Sequence, residues 1–561
     1  MNSMDAVRYW QDHVSDPELR DELDELVASG DEQAVEDAFF QNLAFGTGGL
    51  RGVIGPGSNR MNIYTVGKAT QGLADYLNSL GPGQRRVAIA HDSRVKSELF
   101  CSTTACVLAA NGIKACLYPR LEPTPALSFA VRYLQCDAGI NITASHNPAE
   151  YNGYKAYGAD GCQITTDVAA AIQQAIDDVD VFADVKTMDF DEARASGLVE
   201  QIPEEVISAF VDAVVAHSLE PLEATGDLRV VYTPLNGTGL ECVSRVLDRI
   251  GVDDVYVVPE QKDPDGTFPT CPRPNPEIRE ALDRGIALSK QLDADLLVAT
   301  DPDADRTGVA VEYGDDYELL TGNEIGILLF DYICRTRAER HAMPDRPVLV
   351  TTIVSTDMVD RIAERYGVEV RRTLTGFKYI GDQITALEQA GEDDRFLFGF
   401  EESYGYLIGP YVRDKDAIGA TMMLCQIARG CRARGKTLMD AMQDLYEEYG
   451  YYRNAQTSVY YEGADGAKTM RSLMDGLRSD PPREIAGLEV VGVTDYLPGI
   501  DGLPASDVIQ LDVEGGNKVI IRPSGTEPKI KAYVFAHDAN DPSTQLICDV
   551  MALDMRSRLE V

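Results

Sequence analysis

The feature that most constrains this chain is a strand–helix–strand pattern that occurs three times along it. In each unit an apolar segment precedes an amphipathic helix, and the helix ends at a glycine before a second apolar segment. The units begin at RRVAIAHDSR, RVVYTPLNGTG and PVLVTTIVS. Strands that alternate with helices form sheets covered by helices. The pattern therefore predicts an α/β protein with three similar domains, whose sheets are mixed and mostly parallel.

The pattern changes after residue 452. The segment VIQLDVEGGNKVIIRPSGTEPKIKAYVFA alternates apolar and polar residues around a Gly-Gly-Asn turn, which is typical of antiparallel strands. We therefore expect a smaller C-terminal α+β domain, the fourth domain of the chain. The predicted bounds are 1–205, with an N-terminal helical extension, then 206–320, 321–452 and 453–561. Thr321 and Glu324 form a candidate capping box at the third domain's start.

The composition excludes several classes of partner. The net charge of −40 argues against a nucleic-acid partner, because phosphate backbones require a positive surface. No apolar stretch reaches the ~20 residues of a membrane span, and the acidic N-terminus is not a secretory signal. The 11 cysteines form no C-x-x-C pair, which favours reduced thiols and a cytoplasmic protein. If the substrate is an anion, the scarce basic residues must be concentrated around its site.

Ser145 follows the apolar strand DAGINI on the irregular loop TASHNP, and Lys155 lies ten residues later. The loop lacks the G-x-S-x-G pattern of α/β-hydrolases. By itself, a serine beside His146 is equally compatible with an ordinary turn stabilised by polar side chains.

Asp301, Asp303 and Asp305 follow the buried strand LLVAT at alternate positions. Three carboxylates this close repel one another unless a cation neutralises them. An EF-hand is disfavoured, since Arg306 stands where that loop requires glycine and the flanks are strands. A phosphatase of the haloacid type also places aspartates after a strand and stays an alternative.

Two further loops suit a sugar phosphate. FLFGFEESYGYL presents Glu401 and Ser403 at a strand end, and the nearby polar positions Thr375, Gly376 and Lys415 suit ligand contacts. The last loop, IIRPSGTEPKIKAY, gathers two cations, two hydroxyls and free N–H groups around a glycine, which is typical of a phosphate cradle. Its candidate residues are Arg522, Ser524, Gly525, Thr526 and Lys529.

Near the start, GTGGLRGVIGPGSNR places Arg51 and Arg60 among glycines. The glycines permit tight turns, and the two arginines are candidate bidentate phosphate donors.

Taken together and in this order, the loops resemble those of the α-D-phosphohexomutase family, which includes phosphoglucomutases and phosphomannomutases. The resemblance covers about residues 40 to 535, and it implies that the four domains are arranged around a central cleft. FGTGGLRG, TGFK and the N-terminal helical extension are most similar to the branch of phosphoglucomutase-2 and phosphopentomutase proteins. Some family members carry Ser-Gly-His in the sugar loop, whereas this chain has Ser403-Tyr404-Gly405, so no histidine acid or base is assigned there.

The resemblance implies an isomerase that interconverts glucose 1-phosphate and glucose 6-phosphate through phosphorylated Ser145 and a glucose 1,6-bisphosphate intermediate. It implies one Mg²⁺ held by Ser145 and the three aspartates. Arg51, His146 and Lys155 are implied in proton transfer and charge stabilisation, without a ranking. The implied substrate contacts are Arg306, Thr375, Gly376, Glu401, Ser403, Lys415, Arg522, Ser524, Gly525, Thr526 and Lys529.

Several alternatives stay open from sequence. Mannose and pentose phosphates are possible substrates of the same family, and a metal-dependent phosphatase or a non-catalytic sugar-phosphate binding protein belongs to a different class. The oligomeric state, monomer or dimer, is not visible.

Overall fold

The structure is a computed structural model that describes residues 3–46, 48–220, 227–461, 466–500, 502–524, 529–538 and 540–560. The helices in these residues are α1 Ser3–His13, α2 Pro17–Ala28, α3 Glu32–Phe39, α4 Ile63–Ser79, α5 Ser97–Ala110, α6 Thr124–Tyr133, α7 Thr166–Asp177, α8 Phe190–Ala195, α9 Glu204–Val215, α10 Leu240–Arg249, α11 Arg279–Leu292, α12 Gly322–Glu339, α13 Met358–Tyr366, α14 Phe377–Gln389, α15 Ala417–Arg432, α16 Leu438–Tyr449, α17 Gly466–Ser479 and α18 Asp541–Leu559.

The strands of the described residues form four sheets. They are β1 Gly49–Val53, β2 Arg86–His91, β3 Lys114–Leu117, β4 Ala138–Ile142, β5 Tyr151–Gly158, β6 Val199–Gln201, β7 Val230–Thr233, β8 Val255–Val257, β9 Leu296–Thr300, β10 Thr307–Tyr313, β11 Asp316–Leu319, β12 Val348–Thr352, β13 Glu369–Thr373, β14 Phe396–Glu401, β15 Gly405–Leu407, β16 Tyr451–Tyr460, β17 Glu484–Ile485, β18 Leu488–Asp495, β19 Ile509–Val513, β20 Asn517–Pro523 and β21 Lys529–Asp538.

The first three sheets share a four-strand unit. The unit has the order β3-β2-β4-β5 in the first sheet, β8-β7-β9-β10 in the second and β13-β12-β14-β15 in the third. In each unit the first three strands are parallel and the fourth is antiparallel. The first sheet adds β1 and β6, and the second adds β11. This arrangement confirms the predicted α/β class with mixed sheets.

The fourth sheet is different. Its order is β16-β21-β20-β19-β18-β17, and every neighbouring pair is antiparallel. The Gly515-Gly516-Asn517 segment joins β19 to β20, where the sequence predicts a turn. With α17 and α18 on it, this sheet confirms the predicted α+β domain at the C-terminus.

Helices α1 to α3 form the predicted N-terminal extension. Asp16 caps α2, whose first residue is Pro17, and Asp31 caps α3. Trp10 of α1 packs edge-on against Phe39 of α3, so the three helices share a small apolar core that also contacts the first α/β domain.

The apolar clusters connect the four domains to different extents. One continuous cluster runs through all three α/β domains, with Phe210, Phe330 and Phe398 among its members. The fourth domain has its own cluster, and a smaller one joins it to the third domain through residues such as Leu374 and Phe535. The three α/β domains are thus packed as one body, and the fourth contacts the third through the smaller apolar cluster and through ion pairs such as that of Lys518 with Asp357.

The predicted bounds at residues 205, 320 and 452 stay predictions. The capping box is present: Thr321 accepts from the backbone N–H of Glu324, whose carboxylate accepts from the N–H of Thr321. Within the described residues, every helix is too short or too polar to cross a membrane.

Candidate active site

Three of the loops named from the sequence occupy one topological position. Each connects the third strand of the shared unit to its antiparallel fourth strand: 143–150 after β4, 301–306 after β9 and 402–404 after β14. Each also contains a non-glycine residue with left-handed backbone, Ser145 (φ 53°), Ala304 (φ 49°) and Tyr404 (φ 63°). Such residues cost roughly 1–3 kcal/mol and are concentrated at functional sites.

Ser145 is buried where the first and second domains meet. Its backbone N–H donates to Thr143 Oγ1 at 2.8 Å, which fixes the turn. Its hydroxyl donates to Asp301 Oδ2 at 2.8 Å, and His146 Nδ1 lies 3.0 Å from the same hydroxyl oxygen. Burial, together with the positive charges of Arg306 and Arg51, lowers the pKa of His146 well below its usual value. The imidazole is therefore neutral near pH 7.

The three aspartates form a compact buried group. One carboxylate oxygen from each of Asp301, Asp303 and Asp305 lies within 4.8 Å of the others. The Asp301 Oδ1 atom accepts two backbone N–H bonds of 3.0 Å, from Asp305 and Arg306. Oδ1 of Asp303 and Oδ1 of Asp305 are buried without a hydrogen-bond partner. Burial and the neighbouring carboxylates raise the pKa of Asp301 well above its usual value. Hard, oxygen-liganded cations fit such a donor set.

Two lysines reach the same group from other domains. Lys155 Nζ lies 2.7 Å from Asp303 Oδ2 and 3.4 Å from Asp305 Oδ2. Lys415 Nζ lies 3.1 Å from Asp305 Oδ2 and 3.0 Å from Asp414 Oδ1. The carboxylates raise the pKa of both lysines despite their burial. Charges from the first three domains are thus neutralised against one another at a single point.

The segment around Glu401 and loop 402–404, the candidate sugar loop, contacts the aspartate loop 301–306 and the Thr375–Gly376 turn. Glu401 Oε1 accepts the backbone N–H of Gly376 at 2.8 Å, and burial raises the pKa of Glu401. Ser403 is half-buried on the same loop. Gly405 forms an antiparallel bridge with Arg306, whose guanidinium pairs with Glu277. The structure therefore brings together the predicted residues of the second and third domains.

A glycine lets Lys415 reach this group. A Cβ atom at Gly405 would lie 2.2 Å from Lys415 Cδ and 2.7 Å from its Cγ. Gly405 therefore leaves the space through which the Lys415 side chain passes.

The two candidate arginines of the glycine-rich segment separate in the structure. Arg51 lies on β1 opposite Gly153 of β5, and its Nη1 donates to Asn147 Oδ1 at 3.2 Å, beside the serine loop. Desolvation and the charge of Arg306 lower its pKa. Arg60 instead pairs with Asp37 of α3 at 2.6 Å, so its contacts lie in the N-terminal extension.

The predicted phosphate loop lies in the fourth domain. Arg522 lies near the end of β20, Ser524 donates its N–H to the Lys529 carbonyl at 2.8 Å, and Lys529 Nζ lies 5.1 Å from the ring centroid of Tyr460. Gly525 and Thr526 lie outside the described residues. Lys531, which the sequence interpretation omitted, stands opposite Arg522 in the sheet, and burial with the charges of Lys529 and Arg522 lowers its pKa. Positive charge is concentrated here, as an anion site requires.

Sequence reasoning also missed the support of Asp303. Thr124, at the start of α6, donates its hydroxyl to Asp303 Oδ2 at 2.8 Å and its N–H to the Asp303 carbonyl at 2.8 Å. Asn141 Nδ2 in turn donates to Thr124 Oγ1 at 2.7 Å. No local pattern in LEPTPAL signals this role, whereas Asp414 was detectable as a neighbour of Lys415 in VRDKDAIG.

The fold and site define a class: a multidomain α/β enzyme in which a buried serine hydroxyl faces three carboxylates that could hold a cation, with polar and cationic loops supplied by separate domains. Sequence profiles identify the family. Those described as "Phosphoglucomutase/phosphomannomutase, alpha/beta/alpha domain" I, II and III match residues 42–181, 208–314 and 321–449.

Curated proteins that are similar over most of the chain support the same family. The phosphoglucomutase of Staphylococcus saprophyticus is 36% identical over 536 residues, 93% of this chain and 95% of that protein. The phosphoglucomutase of Staphylococcus haemolyticus is 37% identical over 527 residues, 91% of this chain and 94% of that protein. The chain belongs to the phosphoglucomutase/phosphomannomutase family. The predicted resemblance is confirmed, and with it a phosphosugar mutase, an isomerase, at the level of the family.

Solved structures share the fold. A putative phosphomannomutase from Thermus thermophilus superposes with a TM-score of 0.70 at 24% identity, covering 93% of this chain and 100% of that chain. The phosphoglucomutase parafusin from Paramecium, in an open form, gives a TM-score of 0.71 at 17% identity, covering 92% and 95%.

Proposed function

We propose that this enzyme interconverts glucose 1-phosphate and glucose 6-phosphate, with Ser145 as the phosphoryl carrier. The observation that carries the proposal is the 2.8 Å contact between the Ser145 hydroxyl and Asp301 of the carboxylate group, made across a domain boundary. A serine hydroxyl beside a group that can hold a cation is placed to give and receive a phosphoryl group, because the cation would neutralise charge on the transferring group.

In the first step, the bond between Ser145 Oγ and phosphorus breaks as a free sugar hydroxyl bonds to phosphorus. The hydroxyl proton leaves to a basic group, and the product is glucose 1,6-bisphosphate. After the bisphosphate reorients in the site, Ser145 Oγ bonds to the phosphorus of the other phosphoryl group as the bond from that phosphorus to the sugar oxygen breaks. The Ser145 hydroxyl gives up its proton, and the sugar oxygen takes up a proton. Lys155, Arg51 and His146 border this point and are the candidates for proton transfer and charge stabilisation. Positioning and charge neutralisation dominate such transfers.

Asp301, Asp303 and Asp305 would hold Mg²⁺ together with an oxygen of phosphorylated Ser145. The unpartnered carboxylate oxygens and the all-oxygen donor set favour this ion over softer metals. When bound, the ion polarises the transferring phosphoryl group.

Substrate recognition would be divided among the second, third and fourth domains. Glu401 and Ser403 would bind sugar hydroxyls, with Arg306, Thr375, Gly376 and Lys415 around them. Arg522, Ser524, Gly525, Thr526 and Lys529 would hold the phosphate that does not react, and the cationic surroundings of Lys531 support this. Ser145 and this separate set of residues would therefore provide places for the two phosphate groups of the bisphosphorylated sugar.

Two features support a reducing compartment such as the cytoplasm. All 11 cysteines are free, and most of them are buried. Reduced buried thiols are usual there.

A single assay separates the sugars and the classes of activity. Enzyme with Mg²⁺ and a trace of glucose 1,6-bisphosphate is incubated with glucose 1-phosphate, mannose 1-phosphate or ribose 1-phosphate, and products and inorganic phosphate are both measured. We expect glucose 6-phosphate as the fastest product. Faster conversion of the mannose or ribose substrate would reassign the sugar, and stoichiometric inorganic phosphate would identify a phosphatase. If neither product nor inorganic phosphate forms, binding of glucose 1-phosphate in isothermal titration calorimetry would identify a sugar-phosphate binding protein.

A further inference from the structure

A buried arginine outside the assigned residues is bonded almost entirely to the serine loop. Arg94, in the segment after β2, is 3% exposed. Its Nη2 donates to the Ser145 carbonyl at 2.6 Å and also to the carbonyl of Asn147. Its Nη1 donates to the carbonyls of Pro148 at 2.8 Å and Tyr151 at 2.9 Å. One guanidinium therefore binds four backbone carbonyls of a single short stretch.

Arg94 is itself held in place by Asp92. Asp92 Oδ2 lies 3.3 Å from Arg94 Nε, and both side chains are fully buried. Asp92 Oδ1 accepts the backbone N–H of Arg94 and the hydroxyl of Ser97, each at 2.9 Å. The charge of this carboxylate and the bonds around it leave the guanidinium few alternative positions.

The second domain closes over the other side of Arg94. Its guanidinium lies 5.0 Å from the ring centroid of Phe268, in cation–π contact. At Gly266 a Cβ atom would lie 2.7 Å from the Arg94 carbonyl carbon and 2.5 Å from the N of Val95, so the two segments are in close contact. Arg94 thus lies between the serine loop and the domain that carries the aspartates.

The serine loop needs such support for a physical reason. Ser145 has φ 53°, a conformation that L-residues avoid unless their surroundings impose it. The turn also directs backbone carbonyls inward, where each needs a donor. A planar guanidinium supplies several donors in fixed geometry, which a lysine ammonium cannot reproduce.

We propose that Arg94 is a positioning residue: it holds the Ser145 loop in the strained conformation that aims Oγ at Asp301, and so sets the rate of phosphoryl transfer at Ser145. Its hydrogen bonds go to the serine loop rather than to the sugar loop or the described part of the phosphate loop. This inference depends on the proposed role of Ser145. It predicts a loss in the transfer step and little change in sugar-phosphate binding.

The test is Arg94→Lys in the full-length protein. The substitution keeps the positive charge and removes the planar guanidinium with its several N–H donors. Rapid-quench measurement of Ser145 phosphorylation by glucose 1,6-bisphosphate should show a rate about 100-fold lower, as expected from a reacting atom misplaced by about 1 Å. The KM for glucose 1-phosphate should stay near the wild-type value.

The matched control is Arg429→Lys. Arg429 is a second buried arginine, 6% exposed, whose Nη1 donates to the Ile250 carbonyl at 3.1 Å between the second and third domains. It should lose stability to a similar degree, measured as Tm, while its phosphorylation rate stays close to wild type. Equal rates for the two lysine variants would overturn the proposal.

Phe268→Leu covers the case in which Arg94→Lys does not fold. Removing only the ring beneath the guanidinium should slow Ser145 phosphorylation several-fold with KM unchanged, and an unchanged rate would overturn the proposal. The underlying function is tested separately, since a wild-type protein that takes up no phosphate on Ser145 contradicts the carrier role itself. Wild-type labelling with no Arg94 effect contradicts only the positioning role.

Discussion

The loops of the three α/β domains and the phosphate loop of the fourth domain are built differently. The first three share one topological position and one left-handed residue each. The Ser145 hydroxyl, Lys155 and Lys415 contact Asp301, Asp303 and Asp305, which form one carboxylate group. The phosphate loop joins two antiparallel strands, and its described residues Arg522 and Ser524 are half-buried. Its domain attaches through a small apolar cluster.

The difference suits two tasks. Phosphoryl transfer requires reacting atoms fixed to within a fraction of an ångström, which buried ion pairs across domain boundaries provide. Holding a distant phosphate requires a cationic surface that adapts to either orientation of the sugar. We therefore expect substitutions in the first group to reduce kcat and substitutions in the second to raise KM.

The sharpest test of the first group, the loops of the three α/β domains, is Ser145→Ala. Without the carrier oxygen, mutase turnover should fall by about ten-thousand-fold or more, as when a covalent nucleophile is removed. The far-ultraviolet circular dichroism should stay that of wild type. Undiminished conversion of glucose 1-phosphate in this variant would contradict the carrier role.

Asp303→Asn tests the cation site. The substitution removes a charge that faces Lys155 and Thr124, and we expect divalent-ion affinity to fall by more than about 100-fold, since even outer-shell partners of metal ligands change it 10- to 100-fold. Mn²⁺ binding followed by electron paramagnetic resonance measures this without turnover. An unchanged affinity would argue against the aspartate site. Asp444→Asn, at a surface ion pair with Lys436, is the matched control.

Gly405→Ala tests how Lys415 of the third domain reaches the aspartate group. The added methyl would displace the Lys415 stem, and kcat should fall about 10- to 100-fold, because small displacements near reacting atoms have effects of that size. Gly476→Ala in α17 has open space around the new methyl and should leave kcat unchanged. Equal activity of the two variants would show that Lys415 is not needed in its observed position.

Lys529→Ala tests the second group, the phosphate loop of the fourth domain, and should have the smallest effect on catalysis. Losing one charged phosphate contact should raise the KM for glucose 1-phosphate about tenfold, from the usual strength of hydrogen bonds to charged groups. The rate of Ser145 phosphorylation should change little. Lys436→Ala, a lysine paired with Asp444 away from the loop, is the control for removing a charge. A fall in kcat with KM unchanged would erase the distinction between the two groups.

By itself the sequence determined the three repeated α/β units and the antiparallel fourth domain, because hydrophobic period and glycine stops are local properties of the chain. It also determined the main candidates. Ser145, Asp301 and Glu401 each follow or end a buried strand, and loops at such ends are where chemistry is expected in α/β sheets.

Only the tertiary structure decided which distant residues support these candidates. Thr124 holds Asp303, Arg94 holds the serine loop, and Arg60 pairs with Asp37 rather than joining the site. The reason is physical: a hydrogen bond between residues far apart along the chain leaves no periodic trace in the sequence. The fold brings such residues together by packing the three α/β domains into one core, and that packing places Ser145 against the aspartates.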